Sequence, residues 1–276
     1  MTGEASQLTT ERVARSVRLG RRERARAEMT PPLRAALIHW ADEHEGDLDY
    51  GQINQLALSL DLTPRGRYAS LNDLFTRAAV VDDDRLLDVV EEFLIVPEWS
   101  KEIRRLFDLA GSTLTVSPDG EHLTEVVDCT MEEVAHAAML EGDAVTEDLA
   151  EAWDKAFGRD PDPSDAWGHA ITALEGLLIP LVVPAQAKAN LGHVIGALSG
   201  EHGKKWQTVF PQAEEAHDVA GIAEMLRQVW PNPGRHGDLR AQRKPTLDEA
   251  RAVVPLAAAV VHIARQGALV KPRESQ

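Results

Sequence analysis

Two groups of residues in this sequence have the types and the setting for acid–base chemistry. One is the adjacent pair Arg235 and His236 inside WPNPGRHGDLR, residues 230–240. Histidine changes charge near neutral pH and arginine keeps a fixed positive charge, so the two suit proton transfer beside a phosphate. Two prolines and two glycines surround the pair. They specify a non-helical backbone almost residue by residue, as a loop that presents functional side chains requires. The other group centres on Glu175, whose neighbours at helical steps are Ile171, Leu178 and Ile179. That spacing sets a carboxylate in an apolar stripe, where it is partly buried and needs a facing cation or hydrogen-bond donor. Arg227, Arg235 and His236 are the nearest candidates by topology. Two readings stay open, a catalytic constellation and a structural ion pair that locks the helices together.

The elements that would position these groups are helical. DAWGHAITALEGLLIPLVV predicts a helix starting after Ser164 or Asp165, with Trp167, Ile171, Leu174, Leu178 and Leu181 on one face. DVAGIAEMLRQVW carries Val219, Ile222, Leu226 and Val229 at the same steps, and a shorter helix fits 189–199. TLDEARAVVPLAAAVVHIARQG closes the set, with a capping box of Thr246 and Glu249 and a C′ glycine at Gly267. The Arg-His loop lies just before this last helix. His169 and His262 read as helix-surface or helix-edge residues, and Trp167 and Trp230 as anchors.

Upstream, PPLRAALIHWADEH, SLNDLFTRAAV and DDRLLDVVEEFLIV are helical, the last with Leu86, Val89, Val90 and Phe93 on one face. STLTVSPDGEHLTEVV alternates about Pro118-Asp119-Gly120 and predicts a β-hairpin near 113–127. TEDLAEAWDKAFG predicts a helix with Thr146 as N-cap and an end at Gly158, after which RDPDPSD breaks the chain. At the N-terminus, Arg12, Arg15, Arg18, Arg22 and Arg26 would share a helix face, giving a basic arm or solvated terminal helix over 1–29. The fold class expected is mostly α, with an acidic helical domain over 30–140 that includes the hairpin and a helical bundle over 141–276. The functional boundary falls near 140–160.

Composition narrows the function. The formal charge is −16, and residues 1–150 hold 15 Lys and Arg against 30 Asp and Glu, while 151–276 hold 14 against 15. An acidic first half argues against broad, nonspecific DNA binding there, and the near-neutral second half leaves room for a local basic site around Arg235, Arg240, Arg243 and Lys244. The single cysteine, Cys129, cannot close an internal disulfide, and no signal-type apolar core opens the chain. The longest apolar run, GLLIPLVVP, is too short to span a bilayer, so the expectation is a cytoplasmic protein without membrane contact. No phosphate-cradling glycine motif and no Cys/His zinc spacing occurs, so neither cofactor nor metal is expected.

HAITALEGLLIP, LRQVWPNPGRHG and TLDEARAVVPLAAAVVHIARQG together resemble the HEPN-like domains of abortive-infection proteins, related to the Abi C-terminal type, over residues 150–268. LLDVVEEFLIVPEWSKEIRRLFDLAGSTLTVSPDGEHL is similar to the N-terminal domain of AbiJ-type proteins, over 30–127. The resemblance implies a phage-defence protein, toxin-like, whose C-terminal bundle dimerises and binds RNA or cleaves it as a metal-independent ribonuclease. The family signature is Arg, four to six residues, then His. His236 matches that histidine, and Asn232 and Gly237 fit its loop, with Arg240 and Arg243 beside them for substrate. Eight residues separate Arg227 from His236, and Arg235 is adjacent, so neither arginine has the family spacing. On this reading His236, Arg235, Arg227 and Glu175 carry catalysis, a homodimer supplies two histidines, and an antitoxin or regulatory protein is a further partner. The alternative is a noncatalytic protein- or RNA-interaction module with a structural Arg-His loop.

Overall fold

Nine of the eleven described helices start on a side-chain acceptor. Asp49 with Gln52, Asn190 with His193 and Thr246 with Glu249 form capping boxes, and Thr30, Ser70, Asp82, Asp128, Asp143 and Asp162 each accept a first-turn N–H. The computed structural model describes residues 29–62, 70–199, 205–209, 219–230 and 243–268, with the backbone of 271–272. Among them the chain forms eleven helices and two antiparallel strand pairs, a mostly helical fold as expected. It divides into two compact units, Met1–Val126 and Val127–Gln276.

The first unit contains α1 (Pro31–Glu43), α2 (Tyr50–Ser59), α3 (Leu71–Val81), α4 (Asp83–Glu91), α5 (Pro97–Leu109), β1 (Leu114–Val116) and β2 (Leu123–Glu125). Leu86, Val89, Val90 and Phe93 are all buried, as their spacing predicts. They join Leu33, Leu37, Phe75, Ile103 and Phe107 in one core. The hairpin forms where it is expected, with Val116 opposite Leu123, and its turn is tied to α5 by Ser100 Oγ donating to the Gly120 carbonyl at 2.9 Å. The arginines of the N-terminal stretch lie outside the described residues.

The second unit contains α6 (Cys129–Ala138), α7 (Ala144–Phe157), α8 (Pro163–Val182), α9 (Leu191–Leu198), β3 (Trp206–Gln207), α10 (Ala220–Val229), α11 (Leu247–Arg265) and β4 (Lys271–Pro272). α7 and α8 run antiparallel, so that the Lys155 carbonyl accepts from Asp162 N–H at 2.9 Å and Asp148 meets His169. α11 lies antiparallel on α7. Near its start Arg251 donates to the Ala156 carbonyl at 3.1 Å, and at its end Arg265 donates to the Ala138 carbonyl at 2.7 Å. Trp153, Leu149, Ile171, Leu174, Leu178, Leu226, Val254 and Val261 form the shared core. The Gly267 φ of +65° closes α11 in the left-handed region that favours glycine.

Four local expectations are corrected. The units meet at Val126–Val127 rather than near 140–160, because Ala135, Ala138 and Met139 of α6 pack into the second core. The RDPDPSD break turns the chain between the two helices of the α7–α8 hairpin instead. α7 is capped by Asp143, with Thr146 supplying the N–H that Asp143 accepts at 2.9 Å, and α8 begins at Pro163 because Asp162 accepts from Ser164 and Asp165. A proline at the first helical position leaves no orphan donor, which favours this earlier start. Leu181, one residue past Pro180, is 40 % exposed and leaves the buried stripe.

Candidate functional site

α10 delivers the chain to the Arg-His segment. Val219, Ile222, Leu226 and Val229 are all buried on one face of α10 and its N-cap, as predicted. The last turn is held from another helix, because Trp167 Nε1–H donates to the Val229 carbonyl at 2.7 Å. That carbonyl is one of the four a helix end leaves without an intrahelical partner. Trp230 follows at the C-cap and packs against α9 so closely that a Cβ on Gly192 would come within 2.9 Å of Trp230 Nε1. A larger residue at 192 would have to displace the indole.

On the far side, α11 starts in a closed polar knot. Thr246 Oγ1 accepts from Glu249 N–H, Glu249 Oε2 accepts from Thr246 N–H at 2.9 Å, and Arg243 grips both Glu249 oxygens, one at 2.7 Å. The hydrogen bond from Arg243 is the main reason the Glu249 carboxyl falls to about 2, with the Thr246 backbone adding to it, and the same pair raises Arg243. Arg243 thus serves the helix start. Asn232, Arg235, His236, Gly237 and Arg240 lie between these two anchors, outside the described residues.

Glu175 and Arg227 are not brought together. Glu175 is half-buried in the α8 stripe, and its facing donor is the Leu191 backbone N–H, which reaches Oε1 at 2.8 Å. Leu191 is the first residue of α9, so Glu175 satisfies an orphan donor from outside the helix while Asn190 and His193 form its capping box. Negative charge there also complements the helix dipole. Arg227 donates to Ser199 Oγ at 2.6 Å and pairs with Glu224 on its own helix. Ser199 is the C-cap of α9. The eight residues of α9 at about 1.5 Å each put its ends roughly 10–12 Å apart, so the carboxylate and guanidinium hold opposite ends of one helix.

Two clusters of charged residues were not singled out by spacing. Arg265, with a side chain 5 % exposed, donates to the Ala138 carbonyl, to Thr146 Oγ1 at 3.1 Å and to Asp143. Burial raises the Asp143 carboxyl, but hydrogen bonds from the Thr146 N–H and from Arg265 outweigh it, and the net result lies below the usual carboxylate range. On the α7–α8 hairpin, His169 Nδ1 is 2.8 Å from Asp148 Oδ1, and Glu151 and Asp165 stand beside the ring. The sequence signal for both was ordinary helical spacing; what it lacked was the antiparallel packing that joins the faces.

Among the described residues no helix is long and apolar enough to cross a membrane. Comparison with known proteins supplies no relative: no protein-family model, no curated protein and no solved structure matches the chain.

Proposed function

We propose that this chain is a prokaryotic defence protein of the abortive-infection type whose second unit binds RNA and cleaves it without a metal ion. The observation that carries the reading is the framing of the Arg-His segment: Trp167 fixes the end of α10 through the Val229 carbonyl, and the Arg243–Glu249–Thr246 knot fixes the start of α11. The anchors fix the described backbone at which the chain enters and leaves the Arg-His segment, and positioning is what acid–base chemistry needs. His236 takes the proton of a ribose 2′-hydroxyl or returns one to the departing 5′-oxygen. The 2′-oxygen bonds to phosphorus as the bond to the 5′-oxygen breaks, leaving a cyclic phosphate. Arg235 stabilises the phosphorane charge, and Asn232, Gly237 and Arg240 hold the strand. One chain supplies one such histidine, so a homodimer that faces two loops across its axis is the working unit, with an antitoxin or regulatory protein as its control.

The test is RNA turnover by the purified protein in EDTA. His236→Ala lowers cleavage about 10²–10⁴-fold while the melting temperature holds, because a loop imidazole contributes little packing. Cleavage that survives His236→Ala, or that EDTA abolishes while the protein stays folded, overturns the reading. A second reading draws on Glu175 and Arg227, each of which is engaged at an end of α9. With those two in structural duty, the second unit is a noncatalytic RNA- or protein-interaction module, and it binds without turnover.

A further inference from the structure

Asp148 and Glu151 stand three residues apart on α7, and Asp165 and His169 stand four apart on α8, so each pair shares a helix face. The antiparallel hairpin turns the two faces toward each other. Glu151, Asp165 and His169 each offer one ligand-type atom, and these atoms all lie within 4.8 Å of one another.

The imidazole is oriented from behind. Its Nδ1 is 2.8 Å from Asp148 Oδ1, which makes Nδ1 the protonated nitrogen and leaves the Nε2 lone pair on the side of Asp165. This carboxylate–histidine arrangement is the one that orients metal-binding histidines and raises their basicity. Nε2 and Asp165 Oδ1 are 3.9 Å apart, too far for a direct hydrogen bond. Two ligands of one tetrahedral dication, each about 2.1 Å from the ion, stand about 3.4 Å apart, so this gap closes with a small side-chain rotation.

Charge favours a cation in the same place. Four carboxylates, Asp148, Glu151, Asp154 and Asp165, lie on these two helices, and Lys155 Nζ is 3.2 Å from Glu151 Oε1 and 3.7 Å from Asp154 Oδ2. Lys155 holds the Glu151–Asp154 end of the cluster and is also attracted by Asp165 without an ion-pair contact to it. It leaves the Asp165–His169 end, where Asp165 is exposed, open to solvent. One imidazole with two carboxylates suits a first-row transition ion of the zinc type better than Mg²⁺ or Ca²⁺, which take oxygen ligands.

We propose that Glu151, Asp165 and His169, with Asp148 holding the ring, bind one transition-metal dication that staples α7 to α8, water completing the shell. Lys155 is its competitor, since Glu151 must leave the ammonium to ligate the metal. The inference stands apart from the RNA reading, because none of these residues belongs to the Arg-His segment.

The probe is Zn²⁺ titrated into tag-free, full-length protein stripped of metal, read by calorimetry and by thermal unfolding. The expected result is one Zn²⁺ per chain and an unfolding temperature raised by about 5–10 °C at a hundredfold excess over Kd. His169→Ala removes this site, and Asp148→Asn weakens it about 10–100-fold. Lys155→Met tightens binding, an outcome that an ion-pair network without a metal does not produce. Circular dichroism of metal-free His169→Ala that matches the parent protein shows that the loss is not misfolding; if that variant fails to fold, the Lys155→Met titration decides. The proposal is overturned by no stoichiometric binding, by binding unchanged in His169→Ala, by no tightening in Lys155→Met, or by equal competition from Mg²⁺.

Discussion

Replacing Glu175 separates a carboxylate that caps a helix from one that moves protons. Oε1 accepts the Leu191 N–H at 2.8 Å, and Leu191 is fully buried. Removing the acceptor in Glu175→Ala strands that N–H at the start of α9, at a cost of about 1–2 kcal/mol once partial access of water to a half-buried site is allowed for. Glu175→Gln keeps an amide oxygen for the same N–H and loses only the charge at the helix N-terminus, about 0.3–1 kcal/mol. Hydrogen exchange reads this locally: a peptide covering 188–198 should exchange about 5- to 30-fold faster in Glu175→Ala and no more than about 5-fold faster in Glu175→Gln. RNA turnover measured on the same samples should change little in Glu175→Gln, because the ionisable proton is not used. A Glu175→Gln protein with native exchange and cleavage reduced a hundredfold or more would refute the capping assignment and return the carboxylate to the chemistry.

Three further outcomes follow from the described contacts. Trp167→Phe leaves the Val229 carbonyl without the donor 2.7 Å away; it should cost about 1–3 kcal/mol in urea unfolding followed by tryptophan fluorescence and lower RNA affinity, and an unchanged unfolding midpoint would remove the anchor from the argument. Arg265→Ala loses charged hydrogen bonds to the Ala138 carbonyl and Thr146; with the Asp143 pair discounted because that carboxylate is 45 % exposed, the loss is about 2–4 kcal/mol. Arg265→Lys, which reaches fewer of the acceptors, should recover less than half, and a Lys variant as stable as the parent would contradict the geometry. Acid should weaken the start of α11, because a Glu249 carboxyl near 2, against 4.5 for an unperturbed one, contributes stability that is complete above pH 4.5 and lost as pH falls toward 2. Asp143, also lowered, acts in the same direction at α7. Helicity followed by circular dichroism should show a smaller acid transition in Glu249→Gln, and an identical curve would exclude this origin.

What could be read from the sequence is what is decided within a few residues. The Thr246 and Glu249 capping box, the Gly267 terminus, the hairpin about Pro118-Asp119-Gly120 and the buried face of Leu86, Val89, Val90 and Phe93 all depend on neighbours in the chain, and all are present. Glu175 shows where local reasoning ends. Its apolar setting correctly required a donor, but the donor is a backbone N–H sixteen residues later, and no side-chain type announces a backbone group. The unit boundary is similar: α6 is short, its buried face includes Ala135 and Ala138, and only the packing of α11 draws it into the second core. Spacing also hides the Asp148–His169 cluster, because metal motifs are recognised along one chain segment while these ligands are divided between two helices.

The same division bears on the proposed chemistry. Glu175 and Arg227, singled out by helical position, are engaged at the ends of α9, whereas His236 and Arg235 belong to a proline- and glycine-rich segment outside the described residues. On the proposed ribonuclease reading, setting Glu175 aside leaves His236 as the proton-moving group, and one imidazole does not act as base and acid at the same moment. On the proposed reading the second His236 of a dimer completes the acid–base pair, and turnover should then rise with the square of protein concentration in the range where the monomer dominates.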